Sequence, residues 1–291
     1  MTTESKPMMK GACTPGMPVL TARRFITGLL ALAMALFAVL AGNQLKHRYP
    51  FEHDFHDKID SPVLAVELSS NAEQLKEVSH TAAPATADAK SEAGAAVASL
   101  RTNTYEDFVF ILLYTSYLWQ FAGLFASGGD SASIVHRRAI AGLAILIALF
   151  DCAENIGILR ALNASDLNKF PAQVICFPSR CKWGLFALAL LLTAWILAKS
   201  ASLIYSLPTK RLLALGYATA GALLLIGLLK PHVIEVATNV FALLVGINLV
   251  GLLGPYVERW LPRPRIPEYV QDFCNRKDQR HADVAVYPKT L

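Results

Sequence analysis

Apolar residues run along this chain in six long blocks, at positions 25–42, 107–126, 139–159, 183–205, 212–229 and 233–253. An α-helix rises about 1.5 Å per residue, so each block reaches, or nearly reaches, across a hydrocarbon core of about 30 Å. None has the two-faced pattern of a surface helix. In lipid the backbone must satisfy its own hydrogen bonds, so blocks of this kind can only be helices. The pattern predicts an all-α membrane protein: a bundle of about six transmembrane helices with a small outer-face segment.

The polar stretches between the blocks predict the rest. Residues 43–106 form the largest piece outside the lipid. Within it, Leu64, Val66 and Leu68 alternate with Ala65 and Glu67, which suits a short strand. Ser70-Asn71-Ala72-Glu73 has the form of a capping box, and Leu75 and Val78 follow at helical spacing, so a helix is expected over 71–79. Residues 81–99 are rich in Ala, Ser and Thr and read as a linker. A loop at 161–182 holds Cys176 and Cys181, for which a disulfide and two free thiols are both open readings. Asn163-Ala164-Ser165 is a glycosylation sequon only in a eukaryotic host. The N-tail, 1–24, and the proline-containing C-tail, 256–291, are expected on the cytoplasmic side.

Composition and charge support this picture. The chain is 54% hydrophobic and 17% charged, where a soluble domain carries about 25% charge. The net charge of +5 lies in residues that flank the apolar blocks, which sets membrane orientation and does not make a nucleic-acid surface. Arg23, Arg24, His136, Arg137, Arg138, Lys210, Arg211, Arg259, Arg263 and Arg265 all fall on one side if six spans alternate. That side is read as the cytoplasm, and the protein as multi-pass in a cell membrane. Arg160, Lys169, Arg180 and Lys182 run against the rule. An alternative reads the first block as a signal peptide cleaved after Val39-Leu40-Ala41, leaving five spans.

Ionisable groups inside the spans are the candidate chemistry, because each costs roughly 2.5–3.5 kcal/mol at mid-helix on insertion scales. Asp151, Glu154 and Asn155 share one face of the third span, with no counter-ion in reach on their own helix. Arg160 is too far along, and Lys182, at the outer start of the fourth span, is the first candidate partner. The cluster is read either as a structural ion pair or as a binding or proton-handling site. Thr104-Tyr105-Glu106-Asp107 resembles a capping box opening the second span, and capping is the preferred role for Asp107. Glu235 and Asn239, four apart at the outer start of the sixth span, complete a set that lies in the outer half; convergence would make an acidic pocket. His53, Asp54, His56 and Asp57 are a weak metal candidate and are read as solvated surface. No GxSxG, HExxH, P-loop or dinucleotide fingerprint occurs, and no cofactor is expected.

Some of these residues carry a resemblance. Leu64-Ala65-Val66-Glu67-Leu68, Asp107-Phe108-Val109-Phe110-Ile111 with Tyr114, Asp151-Cys152-Ala153-Glu154-Asn155 with Leu159-Arg160, and Lys182-Trp183 follow one another over about residues 62–200. This order is similar to a family of uncharacterised bacterial polytopic inner-membrane proteins with an "ELA"-like segment, a "DFlFi" span and a "D-x-x-EN" span. Here the first motif reads Glu67-Leu68-Ser69, a departure. The resemblance implies a bacterial inner membrane and directs notice to Glu67, Asp107, Asp151, Glu154, Asn155, Arg160 and Lys182. It implies no activity.

Three functions are compatible with the pattern. The first is a non-catalytic membrane or envelope-interaction component, with the bilayer and a homo-oligomer or an envelope protein as partners. The second is a cation-, proton- or amine-binding or transport protein using Glu154 and its neighbours. The third is a membrane enzyme acting on lipid or envelope intermediates through paired carboxylates.

Overall fold

The computed structural model describes residues 17–50, 55, 58–80, 88, 90–125, 131–199 and 205–260. Eight α-helices occur among them: α1 (Met17–Arg48), α2 (Pro62–Leu68), α3 (Ala72–Ser79), α4 (Glu92–Phe125), α5 (Ser131–Leu162), α6 (Gln173–Lys199), α7 (Leu207–Gly227) and α8 (His232–Trp260). A 3-10 turn, Leu167–Lys169, lies between α5 and α6. The chain divides into two units, Met1–Leu253 and Gly254–Leu291, and everything below concerns the first.

The six long helices α1, α4, α5, α6, α7 and α8 are each long and apolar enough to cross a membrane. Together they form an all-α bundle. Neighbours run antiparallel, as their contacts require. Arg23 near the start of α1 meets Gly123 at the end of α4, while Arg48 at the end of α1 meets Glu106 near the middle of α4. Asp107 and Tyr114 of α4 reach Asn155 and Asp151 of α5, in reverse order. Arg24 of α1 donates to the Gly251 carbonyl of α8, so the first and last helices touch at that end.

The bundle is inside-out relative to a water-soluble protein. Leu112, Leu215, Leu243 and Val250 are 65–73% exposed, whereas Asp151, Glu154 and Lys182 are buried. Apolar surface outside and charge inside is the arrangement a hydrocarbon solvent selects.

Several local expectations are corrected. Residues 64–68 are not a strand. Ser61 caps a helix by accepting from the Leu64 N–H, and Pro62 sits at the first turn, where its missing N–H costs nothing. All of Pro62–Leu68 except Val63 is buried, so alternation carried no information about faces. The helix expected over 71–79 is present as α3, but its cap is Asn71, not Ser70. Asn71 accepts from the Gln74 N–H, and Gln74 Oε1 accepts from the Ser70 N–H and hydroxyl.

The part of the expected linker from 92 to 99 belongs to α4. Its alanines are the strongest helix formers, Ala96, Val97 and Leu100 are buried, and Ser91 caps the start by accepting from the Gly94 N–H. Thr104–Asp107 is therefore mid-helix and caps nothing: the Thr104 hydroxyl donates to the Leu100 carbonyl. The loop expected over 161–182 gives way to helix at Gln173, and Cys176 and Cys181 lie on α6 as free thiols. Within α6, Pro178 supplies no N–H to the Val174 carbonyl. Gly157 of α5 approaches there so closely that a Cβ would stand 3.0 Å from that carbonyl oxygen.

Candidate functional site

Lys182 lies on α6 about 14 Å from the helix start, and Asp151 and Glu154 lie on α5 at a matching depth from its end. The antiparallel pairing of α5 and α6 brings them together. The Lys182 ammonium donates to Asp151 Oδ1 at 3.0 Å and to Glu154 Oε1 at 3.0 Å. Its third donor goes to Glu67 Oε2 at 3.1 Å, a residue that α2 inserts from outside the spans. The ammonium thus has all three N–H groups engaged. It also stands 3.0 Å from Glu154 Oε2, which accepts no hydrogen bond among the described residues.

The network extends to α4. The Tyr114 hydroxyl donates to Asp151 Oδ2 at 2.8 Å, and the Asn155 amide donates to Asp107 Oδ2 at 2.8 Å. Asp107 Oδ1 has no partner among the described residues. Three carboxyl groups and one ammonium are therefore joined across α2, α5 and α6, with α4 tied on through Tyr114, while Asp107 lies beside them and is held by Asn155. Burial pushes the Glu67 carboxyl above the ordinary carboxylate range; Lys182 pulls against this and the Asp151 charge adds to it.

This cluster forms one wall of a cavity of about 550 Å³. Glu67, Asp107, Asp151 and Lys182 line its polar end. Phe110, Tyr114, Trp183, Phe186 and Phe241 form an aromatic wall, each ring centroid 5.0–6.3 Å from the next in an edge-on chain apart from the Tyr114 link to Trp183, which passes through Phe186. Met34, Ala35, Ala38 and Val39 of α1 and Ala242 and Val245 of α8 close the apolar side. A second cavity of about 140 Å³ adjoins it, sharing Ala38, Asp107 and Phe110. The Trp183 indole N–H is buried without a hydrogen-bond partner among the described residues.

Not every predicted site residue belongs here. Asp107, Asp151, Glu154, Asn155 and Lys182 converge. Arg160 is exposed in the last turn of α5, where a cation suits the helix dipole, and takes no part. Glu235 accepts from the Ser61 N–H at 2.6 Å and the Asp60 N–H at 3.3 Å, tying the start of α2 to α8 outside the cluster. Asn239 is exposed and lines the cavity. His53 and His56 lie outside the described residues. Among the described residues no group of three His, Cys, Asp or Glu side chains is arranged to hold a metal ion; Lys182 stands at the point where the three carboxylates meet.

No family model matches the chain, and neither a curated protein nor a solved structure does.

A second polar network was not foreseen. Asn248 of α8 accepts from the Tyr205 hydroxyl at 2.9 Å. Its amide donates to the hydroxyls of Tyr117 at 3.2 Å and Tyr217 at 2.5 Å. Asn248, Tyr117 and Tyr217 are at most 1% exposed. A second amide, in the apolar run that follows Asn239 within the sixth span, was the available signal. Glu67 could be noticed only through the resemblance, since an acid in an extramembrane apolar run looks solvated.

Proposed function

We propose that this multi-pass membrane protein is a non-catalytic binding component of the membrane, and that the 550 Å³ cavity is its ligand site. The observation that carries this reading is the meeting of a polar floor and a long apolar wall in one cavity within the bundle. Such sites, mostly apolar with a few convergent polar groups, are the usual form of a small-molecule pocket. Stability alone is a poor reason for the cluster. Replacing a buried ion network with well-packed apolar side chains is often neutral or stabilising. A chain that keeps three carboxyls and a lysine in its membrane-spanning helices, and inserts a fourth carboxyl from α2, keeps them for another purpose.

The cluster also latches α2 onto the bundle through Glu67, which supports the structural reading for that one contact. The orientation proposed is both termini in the cytoplasm, with α2, α3 and the cavity toward the outer face. The bacterial inner membrane is proposed as the location on the strength of the resemblance.

The test is native mass spectrometry of the protein in mild detergent. Wild type is expected to carry a small-molecule adduct, and Ala38→Trp, which fills the exposed rim of the cavity, is expected to lose it. An adduct retained in full by Ala38→Trp, or none on wild type after reconstitution with membrane extract, would reject the cavity as the site.

A further inference from the structure

Resting on the reading that the cavity binds a ligand, we propose that the ligand is a hydrophobic amine: a protonated amino group at the acidic floor and an apolar body along the aromatic and aliphatic walls. Four observations converge on this class.

First, the floor has no charged donor to offer. All three N–H groups of Lys182 are engaged by Glu67, Asp151 and Glu154, so an anionic headgroup would find no free ammonium there. The remaining donors on the wall, the Trp183 indole and the Asn239 amide, are neutral. Second, the floor has carboxylate to spare. Asp107 lines the cavity with one oxygen held by Asn155 and the other without a partner among the described residues. A carboxylate oxygen accepts from an ammonium in a charge-assisted bond, roughly twice as strong as a neutral one.

Third, five aromatic rings line the same cavity, and the electron-rich faces of aromatic rings attract organic cations. A bare metal ion would instead need a shell of oxygen ligands. Fourth, the cavity continues far beyond a headgroup. Its wall on α1 includes Val39, 61% exposed at the bundle surface. Helices α1 and α8 touch at their other end, through Arg24 and Gly251, and at the cavity each supplies one wall. An apolar body therefore has a route in from the lipid between α1 and α8.

The experiment compares probes with one tail and three headgroups: octylamine, octanol and octanoate. Binding to the full chain is measured by isothermal titration in maltoside micelles, with empty micelles subtracted. Octylamine is expected to bind at least about tenfold more tightly than octanol, and octanoate more weakly than either. Asp107→Asn is expected to lower octylamine affinity by about tenfold and to leave octanol unchanged. Ala38→Trp is expected to abolish both.

Equal binding of the three probes, abolished by Ala38→Trp, would overturn the amine assignment and leave the cavity as a binding site. Preference for octanoate would overturn it too. An amine preference that survives Asp107→Asn would remove Asp107 from the proposal and overturn it in this form. Absence of binding by every probe, together with no adduct on the purified protein, would reject the site itself.

Discussion

The bundle holds two buried polar networks that solve the same problem in opposite ways. In the Asn248 network an amide and three tyrosines are all neutral, and each polar atom of the amide has a partner. None of these four residues lines the cavity. Around Lys182 the charges do not balance: three carboxyls surround one ammonium, a fourth, Asp107, stands on the same cavity with one oxygen lacking a partner among the described residues, and the group opens on that large cavity. A neutral, saturated network is helix-to-helix adhesive and asks for nothing more. An unbalanced one in low dielectric needs protons or a cationic ligand to complete it. The difference separates scaffold from site more clearly than burial does, since Glu154 at the heart of one network and Asn248 at the heart of the other are both fully buried.

The sharpest break in that comparison is Lys182→Met. It leaves three carboxyl groups converging on a methyl-terminated side chain with no counter-charge. Loss of one partner from a buried ion network costs about 3–5 kcal/mol. Thermal unfolding of the purified protein in detergent should show this variant as the least stable of the set. If it melts close to wild type, the cluster is not holding α2, α5 and α6 together.

Asn248→Leu tests the other network. It removes the hydrogen-bond partner of three tyrosine hydroxyls, yet interhelical bonds of this kind in membranes average only about 0.6 kcal/mol and reach about 1.7. A loss of about 1–2 kcal/mol is therefore expected, below that of Lys182→Met, with octylamine binding unchanged. A loss of amine binding here would show that the two networks are one functional unit.

The pH dependence of α2 sharpens the contrast further. The Glu67 carboxyl is raised from its ordinary value of 4.5 by burial. The folded state therefore holds its proton to higher pH than the unfolded chain does. The contribution of this group to docking is complete below about 4.5 and is lost as pH rises through the raised value. Amide exchange in α2, corrected for intrinsic rates, should be slower at pH 5 than at pH 8, and Glu67→Gln should flatten the dependence. The groups facing Glu67 are Lys182, Asp151 and Glu154, so the same profile on Lys182→Met should differ. No pH dependence is expected in the exchange of amides around Asn248.

How much of this could be read along the chain follows from the energies involved. Six apolar blocks are legible because hydrocarbon tolerates little else over about 20 residues. Asp151 and Glu154 were legible, and so was their need for Lys182, because an unpaired carboxylate in a span is too costly to leave alone. Asp107 was misread as a cap because its neighbours mimic one. Only the helical course of 92–106, built on alanines that suggest a linker, places it mid-helix and opposite Asn155. Helix α2 was misread because a segment buried on every side has no informative periodicity; Ser61-Pro62 was the better signal. Asn248, Tyr205 and Tyr217 were passed over because neutral groups cost too little to demand a partner, and only three-dimensional packing shows that they have found one.

The smallest stability effect is expected from Asp107→Asn, and it is the most informative about the comparison. Among the described residues Asp107 makes one hydrogen bond, as an acceptor from the Asn155 amide, and an asparagine at 107 can accept the same bond through its carbonyl oxygen. The substitution removes a charge that no ammonium touches directly, since the contacts of Lys182 are with Glu67, Asp151 and Glu154. Stability should therefore change by less than about 0.5 kcal/mol, in the range of substitutions that touch no load in the structure. Thermal unfolding measured alongside Asn248→Leu decides the matter. If Asp107→Asn is as harmful as Asn248→Leu, Asp107 belongs to the scaffold and the two networks do not differ in kind. If it is harmless to folding while weakening amine binding, the unpartnered oxygen is the place where the bundle is left unfinished for a ligand to complete.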